Sequence, residues 1–251
     1  MSDMYGGTHR ALRVTVCTIA GVIAVAAALT MGVRPVPAGA QEAKKEDPKP
    51  AGDMVKLPIK LPKQIFAGTA LELPPGADIE KLSKTPRLVP LVPKGTVNLA
   101  LKKKVTSSAP PFTGSLDLLV DGDIEGKEDS TLELKPRLQW VQIDLGATSP
   151  LSYIVVWHFH QEPCVFHSVI VQVSNDPKFV DGVTTLFNND QENSAGLGIG
   201  KDREYIESYE GKLIDAKGAK ARYVRLYSNG SIYRDKLNRY NEVEVYGQPA
   251  K

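Results

Sequence analysis

The chain predicts an all-β fold: an antiparallel β-sandwich or jelly roll, preceded by a signal peptide and a proline-rich irregular segment. Three observations predict it. From Thr96 onward short runs alternate apolar and polar residues, clusters of Gly, Pro, Asn and Asp separate them, and no long amphipathic helix intervenes. Strands without crossover helices cannot make a parallel sheet, so antiparallel layers folded onto one another remain. The composition, 42% hydrophobic and 24% charged, fits one sizeable domain and excludes both a disordered tail and a polytopic membrane protein.

Residues 1–40 read as a secretory signal. Arg10 and Arg13 precede the uncharged run Val14–Val33, and Pro37-Ala38-Gly39-Ala40 offers small residues at alternate positions for cleavage. The run is also long enough to span a bilayer, so an uncleaved anchor is the alternative and the only route to a membrane. Either way the expected location is secreted, periplasmic or cell-surface. Arg10, Arg13 and Arg34 against Asp3 account for the net +2, and the rest of the chain carries as many acids as bases. Bulk charge therefore gives no nucleic-acid partner. Two cysteines, Cys17 and Cys164, exclude a disulfide scaffold and a Cys-rich zinc module.

Residues 41–95 hold nine of the 18 prolines, a density that forbids regular structure and favours extended pieces. The segment is either a flexible spacer or, given Ile59, Leu61, Ile65, Phe66, Leu71 and Leu73, a strip lying along the domain surface. Residues 96–248 carry the strands. Val141, Ile143 and Leu145, then Val169, Val171 and Val173, then Val224 and Leu226 recur at strand period; Tyr153–Trp157 is a continuous apolar run, and Val243 and Val245 alternate with Glu242 and Glu244.

Six short motifs stand in a fixed order: Asn98-Leu-Ala100 with Val105-Thr-Ser-Ser108, Leu119-Val-Asp-Gly-Asp123, Trp140-Val-Gln-Ile-Asp-Leu-Gly146, Val171-Gln-Val-Ser-Asn-Asp176, Arg222-Tyr-Val-Arg-Leu226 and Glu242-Val-Glu-Val-Tyr-Gly247. In this order they resemble the discoidin, or coagulation-factor type C, domain, whose galactose-binding-like jelly roll is shared by many carbohydrate-binding modules. The resemblance implies a non-catalytic module that recognises a carbohydrate or cell-surface polymer through rim loops. It also implies a structural Ca2+ held by the Leu118 carbonyl, Asp121, Asp123 and Glu242. The hydroxyl ligand of the family has no match at its usual place, where Gly126 and Lys127 stand; Ser130 and Thr131 come later. Independently, seven carboxylates against Lys127 between Asp117 and Glu133 make an oxygen-rich stretch that suits calcium better than zinc or copper.

His158, His160 and His167 fall within ten residues. His158 and His160 stand where sugar-binding relatives carry a basic residue, and three roles are open to them: ligand contact, a metal site with Glu162, or hydrogen bonding inside the loops. Arg137, Tyr233, Arg234 and Asn238 belong to loops expected at the same rim, where aromatic faces and amide or guanidinium donors suit a sugar ring. Gly196-Leu-Gly-Ile-Gly-Lys201 imitates a phosphate loop but follows a polar stretch rather than a strand; Asp190 and Glu192 could order that stretch around a second cation. A surface adhesion or assembly protein that binds a protein partner is the alternative function, with a metal-dependent enzyme using the His cluster behind it. No Gly-x-Ser-x-Gly or His-Glu-x-x-His pattern supports catalysis.

Overall fold

A computed structural model describes residues 52–64, 78–83, 85–232 and 235–250. The leader, Tyr233 and Arg234 lie outside them. Among the described residues no helix is long and apolar enough to cross a membrane. The strands are β1 (Met54–Lys56), β2 (Leu91–Pro93), β3 (Val97–Asn98), β4 (Lys104–Ser107), β5 (Leu132–Leu134), β6 (Gln139–His158), β7 (Ile170–Ser174), β8 (Thr184–Asn188), β9 (Lys212–Asp215), β10 (Lys220–Ser228) and β11 (Asn238–Gly247), with 3-10 turns at Leu116–Val120 and Glu128–Ser130.

The 20-residue β6 belongs to both layers. Its first half lies between β4 and β10, and β7 and β8 continue that layer; its second half lies between β11 and β9, with β3 and β5 on the far side of β11. All these pairings are antiparallel. Between the halves, Gly146 takes φ +89, a left-handed conformation that a side chain resists, and the strand crosses from one layer to the other. Val141, Ile143, Val171, Val224 and Leu226 from the first layer and Ile154, Val156, Val243 and Val245 from the second share one buried core. The alternation along each strand thus points inward as its period requires.

The continuous run Tyr153–Trp157 has a second cause. Ile154 and Val156 face the main core, while Val155 and Trp157 face outward into a separate cluster with Leu57, Val92 and Tyr246. The proline-rich segment supplies that cover: β1 pairs with β2, Leu57 N–H donates to Pro90 O at 2.9 Å, and Leu57 and Val92 are 3% and 1% exposed. Burial of each stabilises the contact by about 1.5–3 kcal/mol. Residues 52–64, 78–83 and 85–93 are therefore a strap on the outer face of the second layer; Ile65, Phe66, Leu71 and Leu73, on which the surface-strip reading also rests, lie outside the described residues.

Trp157 anchors the strap's neighbour as well. Its Nε1–H donates to Tyr209 O at 2.9 Å, and Gly211, at φ +62, sits so close that a Cβ there would fall 2.8 Å from the indole. Gly211→Ala combines left-handed strain of about 1–2 kcal/mol with overpacking of about 1–3. Gly218 has a similar φ, +73, and open space around it. In urea melts Gly211→Ala should lose at least twice the stability that Gly218→Ala loses; equal losses would show that the indole contact contributes nothing.

Candidate binding rim and acidic loop

At one end of the sandwich three chain segments meet around Asn238. This first residue of β11 is fully buried, its Nδ2 donates to Lys135 O and Arg137 O at 2.8 and 2.9 Å, and its Oδ1 accepts from Gly230 N–H at 2.6 Å. All its hydrogen-bonding groups are engaged by backbone, so it braces the rim and offers nothing to a ligand, contrary to its expected contact role. Arg137 is the reverse: exposed, and held at φ +76 by a loop that the brace fixes.

The two histidines expected beside it do not face solvent. His158 is 0% and His160 1% exposed. His158 lies against Phe166 and Tyr240, with ring centroids 4.4 and 4.6 Å away, and its Nδ1–H donates to Glu207 Oε2 at 3.2 Å. His160 Nε2–H donates to Ile124 O at 2.8 Å, and Gly126 leaves room for that ring, since a Cβ there would come within 2.7 Å of it. His167 pairs instead with Glu204 at 2.8 Å. The three imidazoles have three different partners, and among the described residues no three His, Cys, Asp or Glu side chains converge to hold a metal. Of their three open roles, the structure favours internal hydrogen bonding, because the end of β6 turns into the interior and the following loop closes over it.

The acidic loop runs beneath β11. Gly122 N–H donates to Glu242 Oε2 at 3.2 Å, Asp123 N–H to Asp121 Oδ1 at 2.8 Å, and Glu125 N–H to Asp123 Oδ1 at 3.0 Å. Glu242 is fully buried and its Oε1 has no hydrogen-bond partner. Burial first, and then the nearby charges of Glu244, Asp121 and Asp123, push its carboxyl up to about 9 against the opposing Gly122 N–H. Of the late hydroxyls, Ser130 Oγ and Thr131 Oγ1 both donate to Lys127 O, and Thr131 Oγ1 also accepts from Asn241 Nδ2.

Asp190 ties the loop after β8 together. Asp190 is 2% exposed and accepts from Ser194 N–H, Ala195 N–H and the hydroxyls of Ser168 and Ser194. Burial opposes ionisation there, yet these donors outweigh it and hold the carboxyl below its ordinary range. Gly196–Lys201 lies in this irregular stretch and starts no helix. Sequence reasoning passed over Glu207, a 1% exposed carboxylate whose setting in Tyr205-Ile206-Glu207-Ser208 carries no burial signal in its residue types.

No family model and no curated protein matches the chain. Solved structures do. A fucose-binding module of Streptococcus pneumoniae is 20% identical over 61% of this chain and 99% of its own, with a TM-score of 0.43. The lectin domain of lectinolysin, complexed with Lewis B antigen, is 17% identical over 61% and 98%, at 0.42. A family 89 glycoside hydrolase from Clostridium perfringens is 17% identical at 0.47, but this chain spans only 15% of it. The fucose-binding and lectin domains have discoidin-type, galactose-binding-like folds.

Proposed function

We propose that residues 96–248 are an exported, non-catalytic module that binds a carbohydrate or other cell-surface polymer at its rim, with a structural calcium ion in the acidic loop. The observation that carries the rim reading is the Asn238 brace. Three hydrogen bonds hold the loops of Lys135–Arg137 and Gly230 in one arrangement before any ligand arrives, which lowers the ordering cost of binding. Arg137 stands exposed on that fixed loop; Tyr233 and Arg234, the other expected contacts, lie outside the described residues.

The calcium reading is supported by the donor chemistry around Glu242. A buried carboxylate oxygen without a partner, beside Asp121 and Asp123, is uncompensated unless it is protonated or faces a cation. Asp121, Asp123, Glu242 and the Leu118 carbonyl would hold the ion, the three carboxylates, which do not converge in this structure, drawing together around it. With few side-chain carboxylates converging, main-chain oxygens would complete a shell of the 6–8 that calcium takes.

A screen of the purified protein on glycan arrays and insoluble polysaccharides tests the rim. At least one saccharide should retain the protein, and Arg137→Ala should weaken retention about tenfold, the equivalent of about 1.4 kcal/mol, without lowering the melting temperature. Retention by no saccharide, together with capture of a protein partner through the same loops, would replace this reading with the adhesion one.

A further inference from the structure

The first layer ends at β8, which among the described strands pairs with β7 alone. The loop 197–202 runs along its outer side. Asn188 N–H donates to Asp202 Oδ2 at 2.7 Å, Asp202 N–H to Asn188 O at 3.0 Å, and Asn188 Nδ2 to Gly198 O at 3.0 Å. Between strand and loop lies an open groove of about 280 Å3, lined by Leu186, Phe187, Leu197, Ile199, Lys201 and Asp202. Ile199 is 71% and Leu197 36% exposed, and an edge strand beside uncovered apolar side chains invites pairing with a further stretch of chain.

We infer that this groove is the docking site of the chain's own Leu71-Glu72-Leu73, which would carry the strap from the second layer to the edge of the first. Direction is the first ground. Asp78, where the described chain resumes after residue 64, pairs with Arg203 at 3.0 Å; Ile79 bridges Glu204 in parallel, and Glu80 N–H donates to Glu204 O at 2.8 Å. A parallel bridge sends the residues before Asp78 back along Arg203, Asp202 and Lys201, and the last two line the groove. Reach is the second. The stretch from Leu73 to Asp78 spans at most about 18 Å, and Pro74-Pro75 favours an extended path. Ile199 stands four residues before Arg203, so Leu73 comes level with Ile199, and Leu71 with Leu197. Chemistry is the third. In an extended run Leu71 and Leu73 share one face and Glu72 takes the other. The leucines would take the water off Ile199 and Leu197, while Glu72, the only ionisable residue of 65–77, would face out toward the exposed Lys201. A strand from a second molecule would need the same face, but the tethered segment competes at a far higher effective concentration. The inference is independent of the rim reading and goes beyond it.

The test is digestion of the full chain with a glutamyl-specific protease, with cleavage after Glu72 timed against a synthetic peptide of residues 65–77. Docking should slow this cut by about tenfold or more, because proteolysis follows the undocked population. Ile199→Asp, at an exposed position, should return the rate to that of the peptide. Lys201→Glu, which sets like charges together, should return it part of the way. Both variants should keep the circular dichroism spectrum of the parent. The docking is overturned if the parent is cut as fast as the peptide, or if it is cut slowly and neither variant speeds the reaction. A slow cut that becomes fast on dilution would assign the groove to a second copy of this chain and overturn it equally. Should Ile199→Asp disturb the fold, Lys201→Glu decides alone.

Discussion

Chelation at pH 8 should lower the melting temperature by about 5–10 °C, and added calcium should restore it. The figure follows from mass action: an ion present at 100 times its dissociation constant stabilises the folded state by about 2.7 kcal/mol, and in a domain of this size each kcal/mol moves the midpoint by about 2–4 °C. Glu242 gives the effect a pH dependence whose sign can be worked out. Its carboxyl is raised from 4.5 to about 9 in the ion-free fold. Between those values the folded chain keeps a proton that the unfolded chain has released. Ion-free stability is therefore fully present below about pH 4.5 and is lost as pH rises toward 9, at no more than about 1.4 kcal/mol per unit. Calcium takes the proton's place, so the slope should flatten when the ion is supplied. Glu242→Gln keeps the shape and removes the charge; in chelator at pH 8 it should melt above the parent, and calcium should not shift it. A parent melting curve indifferent to chelator across pH 5–8 would remove the ion from the account.

How much of this was legible in the residues can be argued position by position. The strands of the core were, because Val141, Ile143 and Leu145 or Val243 and Val245 can satisfy a period of two in only one way, with their apolar side inward. Even the double-sided burial at Tyr153–Trp157 was written as an unbroken apolar run, though not what would cover it. The strap left no such mark: Leu57 follows one three-residue strand and Val92 sits in another, too short for a period to connect one contact to the next. Polar residues were the hardest. His158, Asn238, Glu207 and Glu242 are all buried, yet the same residue types at the same positions would look alike if they faced water. What decides their place is a distant partner, such as the backbone of Lys135 for Asn238 or Gly122 for Glu242, and a single sequence carries no record of such pairs. The histidines illustrate the consequence. Their clustering left ligand contact, a metal site and internal hydrogen bonding all open, and only the distant partners show that each ring braces a different segment.

His158→Ala should be the most damaging single change outside the aliphatic core. The ring stacks on Phe166 and lies against Tyr240, so truncation leaves a cavity of the kind that costs about 3–5 kcal/mol for a buried aromatic residue. It also removes the donor to Glu207 Oε2 and leaves a carboxylate unpaired in the interior, a further penalty of about 1–3 kcal/mol. Against a total stability of about 5–15 kcal/mol, the sum is enough to unfold a large share of the molecules at 37 °C. The two contributions separate by design. His158→Phe restores the stack but not the hydrogen bond, and should recover only the cavity part. His158→Phe with Glu207→Leu removes both polar partners together and should recover most of the loss, since exchanging a buried pair for packed apolar groups is often neutral or better. Thermal melts of the three variants read this directly. A ligand-contact role for His158 predicts the opposite pattern, an alanine variant that melts within 2 °C of the parent, by the usual small effect of surface substitutions, and fails only to bind. That outcome would mean that the imidazole is not part of the packed interior, and the bracing role assigned to the end of β6 would fall with it.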